Sequence, residues 1–181
     1  MTQKTFLRNA ACDEQKFVIS TCCFTFQGYC LLLKQYGVNA SLIHFEEDEV
    51  RQRDLEDVVK NQHASVSVFL GKGVVELLAS LKRLASVLNA LPVIRRVTLY
   101  GDIPDGWLYC TLRSLLNNSQ QLSLIRISSV ADLASSLNIR GEKLKDRSRL
   151  LRSQYMAYAN QVKIKGLTKR EIDVLLRFYR G

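Results

Sequence analysis

The fold class follows from the stretch SVSVFLGKGVVELLASLKRLASVLNAL at residues 65–91. Its first six residues form a short β-rich apolar run, as expected for a strand buried on both faces. Between positions 74 and 88 the apolar residues recur every three or four positions, which predicts one continuous helical face. Pro92 marks the end of this helix. The stretch therefore predicts a strand joined to a long helix, the unit from which α/β proteins are built.

Similar patterns occur on both sides of this unit. Strands are predicted at residues 16–21, 40–45, 65–70, 96–100 and 122–127. Helices are predicted at residues 26–36, 50–60, 73–91, 105–116 and 129–137. The last of these helices has Ser129 as N-cap and Asp132 at its third position. Five strands alternating with helices predict a doubly wound, five-stranded parallel sheet over residues 1–138.

The net charge of +9 is concentrated in the last quarter of the chain. Residues 136–181 contain twelve Lys or Arg and four Asp or Glu, a net charge of +8. Such asymmetry indicates a polyanionic partner, nucleic acid first; the alternative is a solvated basic helix without a partner. Residues 139–166 are predicted to form a basic helical linker without a strand, with Leu151 and Tyr155 on an interrupted apolar stripe.

Composition argues against several classes of protein. No apolar run approaches the roughly 20 residues that cross a bilayer, so we expect a cytoplasmic protein without a membrane partner. The five cysteines contain no CxxC pair, and the two histidines are far apart in sequence. We therefore predict that the protein holds neither a metal nor a cofactor and that its thiols are reduced. A redox role for Cys22 and Cys23 is disfavoured, since no basic residue is adjacent to lower a thiol pKa.

The last fifteen residues, LTKREIDVLLRFYRG, predict a capped amphipathic helix. Thr168 is the expected N-cap, Glu171 completes a capping box, and Gly181 is placed as a C-cap. The apolar stripe consists of Ile172, Leu175, Leu176 and Tyr179. This stripe is expected to dock on the linker stripe near Leu151 and Tyr155 or to pair with a second copy; otherwise the helix is disordered.

The order Leu-Thr-x-Arg-Glu-x-x-Val-Leu, ending in an aromatic residue and glycine, resembles the start of the LuxR (FixJ) type helix-turn-helix domain of bacterial transcription regulators. The matching residues are Leu167, Thr168, Arg170, Glu171, Val174, Leu175 and Gly181. In that family this segment opens the first of four helices, and two later helices read DNA. The resemblance implies DNA as a partner of the complete domain. Sequence-specific binding by this chain alone is not expected, because it stops at Gly181.

The stretch FVISTCCFTFQGYCLLLKQYGV is similar to the first unit of receiver domains from the branch with RcsA-like and BglJ-like auxiliary regulators. A working receiver needs acidic residues after its first strand to hold Mg²⁺, and an aspartate after its third to accept phosphate. Here Thr21 and Cys22 occupy the first position, and Gly71, or Leu70 in a shifted register, occupies the second. Arg126 stands for the lysine after strand five. The resemblance therefore implies a degenerate phosphorylation pocket.

These resemblances imply a transcription regulator that acts through a homodimer, or a heterodimer with a related regulator, of a pseudo-receiver that is not phosphorylated. The expected dimer face includes Trp107, Tyr109 and Leu112; alternatively, Trp107 only covers the core. Two other functions remain open. The chain could be a truncated interaction protein that sequesters a full-length regulator, or a small α/β enzyme with a polar site at the strand ends. We expect no enzyme, since no motif groups catalytic residues.

Overall fold

The computed structural model describes residues 15–35, 64–91, 94–133, 149–151 and 165–180. In chain order the elements are β1 (Gln15–Ser20), α1 (Cys23–Gln35), β2 (Ala64–Phe69), α2 (Val74–Ala90), β3 (Ile94–Tyr100), α3 (Asp105–Leu115), β4 (Ile125–Ser128), β5 (Arg149–Leu150) and α4 (Lys169–Arg180). Two short 3₁₀ helices flank β4, at Ser119–Leu124 and Val130–Asp132. No helix within these ranges has the length and hydropathy needed to span a membrane.

The described strands form a sheet in the order β1-β2-β3-β4-β5. Its first four strands run parallel, with Phe17 opposite Val66 and Val97 opposite Ile125. Parallel neighbours need crossover connections, which the intervening helices supply. The predicted α/β class with a parallel sheet is therefore confirmed for four strands. The predicted strand at 40–45 and the helix at 50–60 lie outside the described residues.

Strand β5 corrects the expectation that residues 139–166 contain no strand. Arg149 and Leu150 pair antiparallel with Ile127 and Arg126 of β4. Without β5, the outer backbone groups of β4 would lack these partners, and unpaired backbone groups are costly. A two-residue strand has no periodicity that a sequence pattern could detect.

Helices lie on both faces of the sheet, as a doubly wound arrangement requires. Successive strand residues point to opposite faces, so Phe17 and Ile19 lie in one core and Val18 in the other. Helix α1 contributes Tyr29 and Leu33 to the core that contains Val18. Helices α2 and α3 cover the opposite face, with their buried residues Leu78, Leu81, Leu84, Ala85, Leu88, Leu108, Leu112 and Leu115.

An aromatic cluster holds α1 on the sheet. The rings of Phe69 and Tyr100 stack at 4.9 Å between centroids, and Tyr29 meets Phe69 edge-on at 5.1 Å. The Tyr29 hydroxyl lies 2.9 Å from Ser67 Oγ in a hydrogen bond. Burial raises the pKa of Tyr29 above its ordinary value. This phenol is therefore a neutral packing group whose polar end is satisfied.

Candidate functional site

A cleft of about 1330 Å³ lies at the carboxyl ends of the four parallel strands. Its lining includes Thr21 and Cys22 after β1, Gly71 after β2, Asp102 after β3 and Ser129 after β4. Because the carboxyl ends of parallel strands share one edge of a sheet, loops that are distant in sequence meet there. The structure thus places Thr21, Cys22 and Gly71, three of the predicted pocket residues, around one cleft.

Arg126, the fourth predicted pocket residue, is not in the lining of this cleft. It is the second residue of β4 and pairs with Thr98 in the middle of β3. The strand ends instead at Ser128, which does line the cleft together with Ser129. The sequence pattern placed this strand at 122–127, three residues too early at its start, because the apolar residues before Ile125 belong to a 3₁₀ helix.

Two of the acidic side chains around the cleft, those of Glu76 and Asp132, take part in helix starts. Glu76 accepts a hydrogen bond from the Gly73 N–H at 3.1 Å, which caps α2. Asp132 accepts one from the Ser129 hydroxyl at 2.8 Å, and its own N–H donates to Ser129 Oγ at 3.2 Å, so the predicted cap at Ser129 is confirmed. Among the described residues, no three His, Cys, Asp or Glu side chains form a group that could hold a metal ion.

Cys22 lies at the start of α1, on the rim of the cleft. Ser20 fixes the turn there: its hydroxyl donates to the Cys22 carbonyl at 3.0 Å and accepts from the Cys22 N–H at 3.2 Å. Hydrogen bonds from the Thr25 hydroxyl and then the Thr25 N–H lower the pKa of the exposed Cys22 thiol. Basic neighbours, the signal sought in the sequence, do not include this cause. The helix was also predicted to begin at residue 26 rather than at Cys23, so Cys22 was not expected at a helix start.

We expect Cys22 to be alkylated faster than Cys30 near neutral pH. A lowered pKa means a larger thiolate fraction at a given pH, and the thiolate is the reactive form. Burial raises the pKa of Cys30, so its thiolate forms only at higher pH. Iodoacetamide labelling followed by peptide mass spectrometry across a pH series measures both midpoints.

The matched variant for this experiment is Thr25→Val, which removes the hydroxyl donor. It should move the Cys22 midpoint to higher pH and leave that of Cys30 unchanged. A Cys22 midpoint at or above the ordinary thiol value in the wild-type chain would show that these hydrogen bonds do not act on the thiol.

The capping box predicted at the start of the last helix is confirmed. The Thr168 N–H and hydroxyl donate to Glu171 Oε2 at 2.7 and 2.8 Å, and the Glu171 N–H donates to Thr168 Oγ1 at 3.3 Å. The Thr168 N–H, followed by its hydroxyl, lowers the pKa of the Glu171 carboxyl. Helix α4 therefore begins where the sequence pattern expected it. The predicted C-cap, Gly181, lies outside the described residues.

Helix α4 is docked against α2 and α3. Ile172 and Leu176, four positions apart, are 0% and 4% exposed and belong to the main core. Asp173 forms an ion pair with Lys82 of α2 at 2.9 Å. Docking was one of the outcomes expected from the sequence, but α2 and α3 were not the expected partners. Leu151 does belong to the same core, whereas Tyr155 lies outside the described residues.

The segment before α4 is held on α3 through its backbone. The Leu167 N–H donates to Thr111 Oγ1 at 3.1 Å, and the Ser114 hydroxyl donates to the Leu167 carbonyl at 2.5 Å. Gly166 lies against Cys110 and Thr111 so closely that a Cβ there would stand 2.6 Å from the Cys110 carbonyl carbon. Residues 166 and 167 thus pack closely against three small residues of α3, Cys110, Thr111 and Ser114.

The buried stripe of α4 is narrower than the sequence predicts. Tyr179, which was assigned to the stripe, is 60% exposed, and Leu175 is only partly buried. Tyr179 lies three residues beyond Leu176, almost one helical turn past the last buried residue of the stripe. Its amphipathic ring tolerates water at this position. Val174 and Phe178 also lie on the solvent side.

The predicted dimer face on α3 needs correction. Leu112 is completely buried in the main core, so it cannot contribute to a surface. It follows Leu108 by four residues and precedes Leu115 by three, which places all three on the inner side of the helix. Trp107 and Tyr109 are half-buried and pack against that core, and Trp107 also lines the cleft.

No protein-family model and no curated protein matches the chain. Among solved structures, the chain is similar to RcsB from Salmonella enterica serovar Typhimurium, solved bound to the promoter rprA in the presence of the phosphomimetic BeF3⁻. The match has 15% sequence identity and a TM-score of 0.42, and covers 93% of this chain and 78% of that one. At this identity and overlap, the likeness establishes neither the family nor the function of the chain.

Proposed function

We propose that the chain is a bacterial transcription regulator with a receiver-like domain that works as a dimer without being phosphorylated. In this proposal residues 1–138 are the pseudo-receiver, residues 139–166 are a linker and residues 167–181 open a LuxR-type helix-turn-helix domain. DNA is then the partner of the complete domain. The carrying observation is the cleft at the carboxyl ends of the parallel strands, together with the residue types that line it.

The chemistry of those residues supports the proposal. The residues that follow β1 and β2 in the cleft are Thr21, Cys22 and Gly71. Mg²⁺ requires hard oxygen ligands, mostly carboxylates, and a phosphoryl group needs a metal to neutralise its developing charge. At these positions a hydroxyl, a thiol and a hydrogen atom supply neither a carboxylate ligand for Mg²⁺ nor a carboxylate that could accept the phosphoryl group. A parallel sheet with this cleft lining supports a domain that acts through partners rather than through phosphoryl transfer.

A second candidate is an interaction protein that sequesters a full-length regulator, and the docked position of α4 favours it. An amphipathic helix has one apolar stripe, and here Ile172 and Leu176 are already buried on α2 and α3. The same two side chains cannot pack at the same time against further helices of a DNA-binding domain. A chain held in this form would pair with a regulator without adding a second DNA-reading unit.

DNA binding by the chain alone tests the first candidate. We expect affinity that falls steeply as salt rises and that is equal for promoter and random duplexes, because the basic residues neutralise phosphates. Fluorescence anisotropy with labelled duplexes at about 50 and 200 mM salt measures both dependences. Exposed Lys169, Arg170 and Arg177 are the described cations of α4 that can make such contacts.

The matched variants change one exposed cation each. Arg177→Gln should weaken binding uniformly across sequences and reduce the salt dependence, whereas Lys34→Gln on α1 should change neither. Strong discrimination between promoter and random DNA would contradict the view that reading requires later helices. No binding even at low salt would remove DNA as a partner of this chain and leave the sequestering candidate.

A further inference from the structure

Helix α4 carries a group of cations on the side that faces α2. Asp173 lies on this side, because it forms the 2.9 Å ion pair with Lys82 of α2. Lys169 and Arg170 precede Asp173 by four and three residues, and Arg177 follows it by four. Residues at these spacings are neighbours on one side of a helix, and all three cations are exposed. These five residues form what we call the α2–α4 seam.

The α2–α4 seam is basic because Asp173 is its one acid. With four cations, its net charge is +3. Glu171, the other acid of α4, is two residues from Asp173 and so lies on a different side of the helix, where Thr168 holds it in the capping box. The residues three and four positions from Lys82 on α2 are uncharged: Leu78, Ala79, Ala85 and Ser86. Clustered cations repel one another, and an anion bound among them relieves this repulsion.

We propose that the α2–α4 seam is a composite site for the phosphate backbone of duplex DNA, to which the receiver-like domain contributes Lys82. This rests on the proposed function, in which DNA is a partner, and adds that the docking of α4 builds the surface. Lys82 is about ninety positions from Asp173 in sequence, and the contact of α4 with α2 brings the two together. The LuxR-type segment by itself supplies three of the four cations.

Charge and dimensions favour a phosphate backbone as the occupant. A chain of net charge +9 repels its own copies and attracts polyanions. Arg170 and Arg177 are two helical turns apart, about 10 Å along the axis, which is close to three steps of the roughly 3.4 Å rise of a DNA strand. Long Lys and Arg side chains at this separation can reach phosphates of one strand. Such contacts carry no sequence information, so the site should bind any duplex.

Asp173 has two opposite effects on this site. It fixes α4 beside α2 through Lys82, and it also neutralises that ammonium group, for which a phosphate must compete. Replacing either partner with its uncharged counterpart breaks the same ion pair. The two substitutions nevertheless change the charge of the seam in opposite directions, which separates a role in binding from a role in holding the helix.

Fluorescence anisotropy of the full chain with a labelled random duplex, over a salt series from about 50 to 200 mM, tests the site. Lys82→Gln should weaken binding about threefold to tenfold at low salt and reduce the salt slope by about 0.9, the value for one phosphate contact. Asp173→Asn should strengthen binding by a similar factor, because it frees Lys82 for a phosphate. Lys82→Arg keeps the cation and should bind like the wild type.

Two control variants make the same changes of charge away from the seam. Lys34→Gln removes a cation from α1 and should leave binding unchanged. Glu171→Gln removes an acid from another side of α4, while glutamine still serves in a capping box. Its gain in affinity should be clearly smaller than that of Asp173→Asn.

The possible outcomes are distinct. Equal affinities of the wild type, Lys82→Gln and Asp173→Asn would overturn the composite site and leave DNA binding by the rest of the chain standing. Weaker binding by both variants would show that the ion pair only holds the helix, and gains that are equal for Asp173→Asn and Glu171→Gln would show an effect of net charge alone; each result overturns the site. A wild-type chain that does not bind at low salt would overturn the site together with DNA as a partner of this chain.

Discussion

Replacing Ile172 with alanine is expected to lower the free energy of unfolding by about 2–5 kcal/mol, the range for isoleucine-to-alanine changes in a core. Ile172 is 0% exposed and belongs to the same core as α2 and α3. The change removes buried methyl groups and leaves a cavity where α4 meets the rest of the protein. Urea denaturation of the full chain gives the change in free energy from the shift in midpoint at constant slope.

Val174→Ala is the matched control, since it lies two residues along the same helix with 59% of its side chain exposed. It should change the free energy of unfolding by no more than about 0.5 kcal/mol. Hydrogen exchange adds a local measurement, because the amides of α4 should lose protection in Ile172→Ala and keep it in Val174→Ala. Equal effects of the two substitutions would contradict the docked position of α4.

Gly166→Ala is expected to lower the free energy of unfolding by about 1–3 kcal/mol, the usual cost of overpacking. The new Cβ would lie 2.6 Å from the Cys110 carbonyl carbon, a backbone atom of α3 that cannot rotate away. Relief of this clash must move residue 166 outward and strain the hydrogen bonds of Leu167 to Thr111 and Ser114. Thermal and urea denaturation measure the loss of stability.

Gly28→Ala is the control for this change, measured at a dilution where the chain is monomeric. It inserts the same methyl group where none of the described residues lies within 4 Å, so it should be neutral or stabilising. The half-buried Cys110 provides a local readout: its alkylation should become faster in Gly166→Ala, because residue 166 no longer covers it. If Gly166→Ala is as stable as the wild type, residue 166 does not lie against α3.

The elements with strong periodicity could be predicted from the sequence. The long apolar stripe of α2 and the β-rich run of β2 gave bounds within one residue of those observed. The start of β4 could not be placed, because Leu122 and Leu124 look like strand residues but lie in a 3₁₀ helix capped by Asn118. An apolar run of this length does not distinguish the two structures.

Only part of the candidate site follows from local pattern. Thr21, Cys22 and Gly71 reach one cleft because each follows a parallel strand, whereas Arg126 depended on the misplaced start of β4. The capping box of α4 joins residues only three positions apart, so Thr168 and Glu171 predicted it from the sequence. The docking of α4 on α2 and α3 cannot be predicted in this way. Its ion pair joins Asp173 to Lys82, about ninety positions earlier, and a local sequence pattern does not reveal so distant a contact.

The position of Leu112 could have been predicted correctly. Its spacing from Leu108 and Leu115 is that of one helical face, and the observed core contains all three. The neighbouring aromatic side chains of Trp107 and Tyr109 suggest a contact surface on α3, but this spacing places Leu112 on the inner side of the helix. On α1, by contrast, the predicted helix began only at residue 26. The observed helix begins at Cys23, so the exposed Phe24 fell outside the predicted helix.

The central claim, a receiver-like domain that works without phosphorylation, is tested most directly by treating the full chain with Mg²⁺ and a small phosphodonor such as acetyl phosphate. Intact mass spectrometry and sedimentation velocity are then measured on the same sample, with a phosphorylatable receiver as positive control. We predict an unchanged mass and an unchanged sedimentation profile, because Thr21, Cys22 and Gly71 supply neither carboxylate ligands for Mg²⁺ nor a carboxylate that could accept the phosphoryl group. An acid-labile adduct of one phosphate, accompanied by a change in oligomeric state, would contradict the claim.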